Sequence, residues 1–449
     1  MNVATYPFQG RMARLAWLPS VLGAVCALAG TSHAQTPAKP PTAQAWIDVA
    51  TFSGMSMPMG GMGAGGGAGG AMGALGSLFG GGSAGGSGDN SFGNTSAGSS
   101  GRWVDVTLLT RNNPSLSDAQ QAVPSGFMAP ALKLTASQET RGRVPPDNDE
   151  TVVEHEQERP KGRLLMYWGC GANVGAGQPR VLDMATASTS DLARFFVSRR
   201  ATQRGAHSQP GRPVWPSVPD KRMLPDGASL AGQHAFSGSG VPADFRFQIP
   251  AAQDLMPALA VQNKDVGGAT DVSWNAVPNT RAYFVAAMGA TEKEEMVIWT
   301  SSQLPDTGMG LMDYQTNASV DKWLGEKVLL APATTQCTVP KGVFTSGGGA
   351  MLRVIAYGNE LNLAHPPRPA DPKAVWEPVW AVKVRVKSMS TSMLGMDGAA
   401  MMGGARPQRQ QRGQEGDAKP GQTAGVEAAE QPGEKAVSPL NLIRGLFGR

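Results

Sequence analysis

Two short patterns do most to limit what this chain can become. Trp46-Ile47-Asp48-Val49 and Trp103-Val104-Asp105-Val106 share the form W-[IV]-D-V, and each lies in an alternating run rich in β-branched and aromatic residues. Such runs are strand signals. Between them lies Gly54 to Gly101, where 20 of 48 residues are Gly. A segment with so little to bury builds no packed core, and closing a long loop costs only slightly more than closing a short one. The pair therefore reads as neighbouring strands whose connection is expanded by a disordered Gly/Met-rich insert. Deleting that insert is expected to leave the melting transition nearly unmoved. A similar composition returns after Ser388, and the Gly follows no period of three, which excludes collagen.

Further strands are expected at 131–136, 163–170, 245–249, 271–277, 281–289, 296–301, 351–358 and 379–387, with a short helix at 191–200. Gly, Pro and Asn separate them, a spacing that favours antiparallel sandwiches. The fold class is all-β: two antiparallel β-sandwich-like domains with a disordered Gly/Met-rich insert and a disordered C-terminal tail. The first domain covers 45–203, interrupted by the insert 54–101; a Pro-rich linker, 204–240, leads to the second at 241–388. The tail covers 389–438 and a short amphipathic segment 439–449. In the last strand Trp380, Val382, Val384 and Val386 alternate with Lys383, Arg385 and Lys387. This predicts one buried and one solvated face, a charged row being also how an edge strand avoids aggregation.

Residues 1–34 have the parts of a secretory signal: Arg11 and Arg14 without an acid, an apolar stretch from Leu15 to Gly30, and small residues at Ser32 and Ala34. Cleavage is expected before Gln35, with no transmembrane span afterwards, because the apolar run is too short and no later segment is long enough. Cys26 lacks a lipobox, having Val25 before it and Gly23 three back. The expected location is periplasmic or secreted. Cys170 and Cys337 then remain, and an even count in an oxidising compartment permits a disulfide between the two domains. Two buried free thiols are the alternative.

One stretch carries a family resemblance. Trp274-Asn275-Ala276-Val277-Pro278 followed by Tyr283-Phe284-Val285 resembles the second and third strands of bacterial fibronectin type III modules, and Leu352, Val354 and Ala356 resemble the sixth. The resemblance implies a sandwich in which the Trp and the Tyr pack from two sheets into one core. Leu352 stands where that strand usually carries Tyr, so the tyrosine corner is expected to be missing. The region exceeds one module in length, which implies long loops, and the motif says almost nothing about function.

Charge excludes little: 39 Lys+Arg against 35 Asp+Glu give a net +4, with no basic surface of the kind nucleic acid requires. His155, within Glu154-His155-Glu156-Gln157-Glu158, reads as solvated charge rather than a metal site. Gly81-Gly82-Ser83-Ala84-Gly85 matches G-x-S-x-G but has no strand before it or helix after it, so the nucleophile elbow lacks its scaffold. No catalytic or cofactor-binding residue is assigned, and an enzyme is not expected.

Methionine is the distinctive chemistry. Of 22 Met, five fall between Met55 and Met72 and five between Met389 and Met402. Met55, Met57, Met59 and Met62 are spaced as soft thioethers that can wrap Cu(I). Their tract is similar to the Met-rich tracts of bacterial periplasmic copper-resistance proteins, although those are commonly interleaved with His and this one is not. The alternative is that these Met are the hydrophobic component of the insert. The segment 439–449 has helical spacing and suits peripheral contact with a membrane or partner, or docking on its own core. Trp323, Trp376 and Trp380 are candidate glycan contacts, with core or loop packing as the alternative. The function expected is that of a non-enzymatic interaction or structural module of the cell envelope, with an envelope protein or a glycan as partner. A periplasmic Cu(I)-binding protein and a carbohydrate-binding accessory protein are the alternatives.

Overall fold

The structure is a computed structural model that describes residues 39–55, 90–97, 99–128, 131–136, 162–199, 205–291, 295–344, 350–371 and 374–394. The two W-[IV]-D-V runs form β1 (Ala43–Gly54) and β2 (Gly101–Thr110), paired antiparallel with Ile47 opposite Val106. Then follow β3 (Asp118–Ala122), β4 (Ala131–Thr135), β5 (Arg163–Trp168), β6 (Arg180–Asp183), β7 (Val214–Trp215), β8 (Gly232–Gly238) and β9 (Arg246–Ile249). The second half supplies β10 (Val261–Val266), β11 (Ala269–Trp274), β12 (Ala282–Ala290), β13 (Met296–Thr300), β14 (Gln336–Val339), β15 (Ala350–Tyr357), β16 (Leu361–His365) and β17 (Trp380–Leu394).

Among the described residues fourteen strands form one sheet in the order β6-β5-β13-β12-β15-β17-β1-β2-β7-β4-β3-β8-β9, with β16 also pairing on β17; β10, β11 and β14 form a second sheet. Pairing is antiparallel except for β1 with β17 and β13 with β5. Those two parallel pairs join the halves of the chain. The regions expected as separate domains thus contribute alternately to one sheet. The segment expected to be a linker, 204–240, contributes β7 and β8 to it. Its prolines limit strand length without preventing pairing: β7 is the two-residue interval between Pro213 and Pro216. The expected start of the tail also moves, because β17 continues through Leu394, with β1 on one side and β15 on the other.

Within this sheet the second half has the arrangement that the fibronectin resemblance implies. The order β13-β12-β15-β17 packs against β10-β11-β14, and the rings of Trp274 and Tyr283 meet between the sheets with centroids 5.5 Å apart. The Tyr283 hydroxyl accepts a hydrogen bond from the Val277 amide at 3.0 Å. Leu352 is fully buried in this core. Val272, Val285, Val354, Val382 and Ile47 belong to one continuous cluster, so the core does not stop at the edge of the module.

The opposite face of the large sheet is covered as well. Among the described residues three α-helices lie in connecting segments: α1 (Asn94–Ala97), α2 (Thr189–Phe195) and α3 (Asn317–Gly325). A reciprocal Ser188/Asp191 capping box starts α2, and the Thr316 side chain caps α3. Val320 and Trp323 of α3 pack on Phe284, Ile355 and Phe52. No helix among the described residues is long and apolar enough to cross a membrane.

Candidate functional site

The face of β17 expected to be solvated is buried: Arg385 is 6% exposed and Lys387 3%. The register shows how this is possible. Asp48 of β1 lies opposite Arg385 of β17 on one side and Asp105 of β2 on the other, so the Asp of both W-[IV]-D-V patterns and one Arg form a row across three strands. The Arg385 Nε donates to Asp48 Oδ1 at 2.6 Å and its Nη2 to Oδ2 at 2.5 Å, a bidentate pair. Burial works against the guanidinium charge, yet Asp48 and its hydrogen bonds keep Arg385 above its ordinary value. The Ala206 amide also donates to Asp48 Oδ2 at 2.9 Å. Gly205 makes this approach feasible: a Cβ there would lie 1.6 Å from Arg385 Nη2.

Asp105 is held differently. Its carboxylate accepts from the Gly93 amide at 3.0 Å, the Thr95 amide at 3.2 Å and the Thr95 hydroxyl at 2.5 Å, all at the start of α1. Burial pushes its pKa up to about 7 against these hydrogen bonds, and the charge of Asp48 adds to the rise. Tyr314 closes the row from above, with its ring 4.3 Å from the Arg385 guanidinium carbon and 4.1 Å from Lys387 Nζ. Burial lowers Lys387, partly offset by Asp313 at 3.4 Å. One row further, Lys383 pairs with Glu360 at 3.1 Å, and the Arg212 guanidinium carbon sits 4.2 Å from the Trp46 ring centroid.

Acids, a phenol and bases are therefore assembled, but beneath three chain segments. Asp48 and Asp105 are 3% and 2% exposed. In this closed arrangement the groups fasten 90–97, 205–212 and 306–316 to the sheet. Part of the glycine-rich insert is thus structural: Asn90 also bonds the Arg222 carbonyl at 2.6 Å. The expectation that all of Gly54 to Gly101 is dispensable is corrected at both ends of the insert. The signal for this row was present in the sequence as an Asp repeated at the same place in two apolar strands.

Met55 follows β1, its amide bonded to the Thr391 carbonyl at 2.9 Å. Met57, Met59 and Met62 lie outside the described residues, as do 1–34, the G-x-S-x-G match, His155 and 439–449. Cys170 and Cys337 meet in disulfide geometry, with Sγ atoms 2.02 Å and Cα atoms 5.2 Å apart, linking the segment after β5 to β14 of the smaller sheet. Trp323 and Trp380 are core residues, which removes them as glycan contacts; Trp376 is half-buried, with the Arg368 guanidinium 5.6 Å from its ring centroid. Among the described residues no group of three His, Cys, Asp or Glu could hold a metal. At one end of the large sheet a groove of about 390 Å³ opens between β6 and α2, lined by Arg180, Val181, Asp183, Asp191, Arg194 and Phe195 among others.

No protein-family profile matches the chain, and no curated protein does. Among solved structures, the FN1-FN3 domains of chicken CNTN1 align with 64% of this chain and 79% of that one at 10% identity and a TM-score of 0.16, a likeness too slight to carry an argument.

Proposed function

We propose that this chain is a secreted or periplasmic protein of the cell envelope that acts as a non-enzymatic interaction and structural module. The observation that carries this reading is how the molecule uses its charges. The acids and bases it brings together are turned inward to hold loops on the sheet, while β6 is presented outward at the end of the strand order. Val181 of that strand is 45% exposed, between Arg180 and Asp183. A strand at a sheet edge offers main-chain hydrogen bonds to an extended segment of a partner. The pairing of Cys170 with Cys337 and the leader-like first 34 residues support an oxidising compartment.

A photo-crosslinking residue placed at Val181 of the full chain tests this in intact envelopes, with Val218, which is 57% exposed and away from β6, as the control position. An adduct of one defined mass from position 181 alone supports the reading. Equal adducts from both positions, or none, would sink it. Glycan remains the second partner class because Trp376 is half-buried; selective binding on a glycan array that Trp376→Ala abolishes would support that class, and no binding by the wild type would remove it.

A further inference from the structure

Close to half of the methionines among the described residues are gathered in one place. Of 13 such residues, Met166, Met184, Met288, Met296, Met309 and Met351 belong to or pack on a single small cluster beside α2. Strand register explains the grouping. Met166 lies opposite Ile298, Ile298 opposite Met288, Met288 opposite Met351, and Met351 opposite Met393. One row crossing β5, β13, β12, β15 and β17 is therefore Met at four of five places. The row also changes character along its length: Met166 and Met288 are buried, while Met351 and Met393 are half-buried.

Packing by itself gives no reason for sulfur at these places, since Leu and Met exchange in cores with little loss. Directly opposed residues on neighbouring strands have Cβ atoms about 4.5–5.5 Å apart, and a thioether on three rotatable bonds can reach inward from that spacing. We infer that Met288, Met351 and Met393 form a thioether site for a soft monovalent cation, Cu(I), with Ag(I) as its redox-inert analogue. Three neutral soft donors favour such an ion over Mg(II), Ca(II) or Zn(II). The site differs from the Met55 to Met62 tract and does not depend on the envelope-module reading.

The test uses the full chain with ¹³C-methyl-labelled Met, titrated anaerobically with Ag(I) while methyl resonances are followed, and with Cu(I) against bicinchoninate. Two variants separate the sources of binding: Met351→Leu with Met393→Leu, and a tract variant carrying Met55→Leu, Met57→Leu, Met59→Leu, Met62→Leu, Met396→Leu, Met401→Leu and Met402→Leu. The inference requires one equivalent of ion to shift the methyl signals of residues 288, 351 and 393 together. Affinity should persist in the tract variant and fall about ten-fold or more in the first, as expected when two of three ligands are lost. Unchanged affinity in the first variant, loss confined to the tract variant, or no methyl shift at stoichiometric Ag(I) would each overturn it. Should the double variant fail to fold, Met393→Leu at its half-buried position is read against the same criteria.

Discussion

Asp48 and Asp105 stand directly opposite each other across the β1–β2 pair, and they keep their places by different means. Asp48 has the bidentate Arg385; Asp105 has the amides of Gly93 and Thr95 and the Thr95 hydroxyl. Opposed like charges destabilise a strand pair. Holding one carboxyl as the neutral acid relieves the conflict, in agreement with a value of about 7 for Asp105.

A pH dependence follows. Because the folded-state value of Asp105 lies above its unfolded value, the folded state holds this proton more tightly. Its stabilising contribution is full below the unfolded value near 4 and is lost as pH rises to about 7. Between pH 5 and 7 the wild type should lose roughly 2–3 kcal/mol through this group, a loss that Asp105→Asn should not show. Urea midpoints measured across that range decide, and parallel curves for the two proteins would contradict the assignment.

Removing the arginine should be costly. Arg385→Met leaves Asp48 buried and unpaired, so a loss of about 3–5 kcal/mol is expected. Adding Asp48→Asn to that variant should recover part of it, giving a coupling energy measurable in a double-mutant cycle.

Gly205 is expected to behave as a member of the same unit. A Cβ at this position would meet Arg385 Nη2 at 1.6 Å and Asp48 Oδ2 at 2.5 Å, so Gly205→Ala must displace the ion pair. Calorimetry should show a clear drop in Tm for Gly205→Ala and a smaller one in the Arg385→Met background. Equal drops would mean that the clash is relieved elsewhere.

The glycine-rich insert should divide into two parts by stability. Deleting 57–88 leaves every contact described above in place and is expected to shift Tm by no more than a few degrees. Extending the deletion through 97 strips Asp105 of its three donors and should cost about 2–4 kcal/mol more. Thermal melts of the two deletions, side by side, check this.

The bond between Cys170 and Cys337 closes a separation of 167 residues. Its loss in Cys337→Ser should lower stability by about 5 kcal/mol, chiefly through the freedom regained by the unfolded chain. The difference from wild type should vanish when both are measured in strong reductant.

The sequence determined what depends on local pattern. Alternation with period two placed the W-[IV]-D-V strands, and the fibronectin type III resemblance carried by Trp274 to Tyr283 implied two sheets sharing one core, where these rings meet. It determined the wrong environment for Lys383, Arg385 and Lys387, because an alternating charged row looks the same whether water or a folded loop covers it. Tertiary structure alone decided that question, by pairing β17 in parallel with β1 and so bringing Arg385 to an aspartate 337 residues away. The methionine row arose in the same way, from four strands far apart in sequence. The physical reason is common to both. A strand's own residues fix which of its side chains share a face, but the neighbours it meets are set by the packing of the whole sheet.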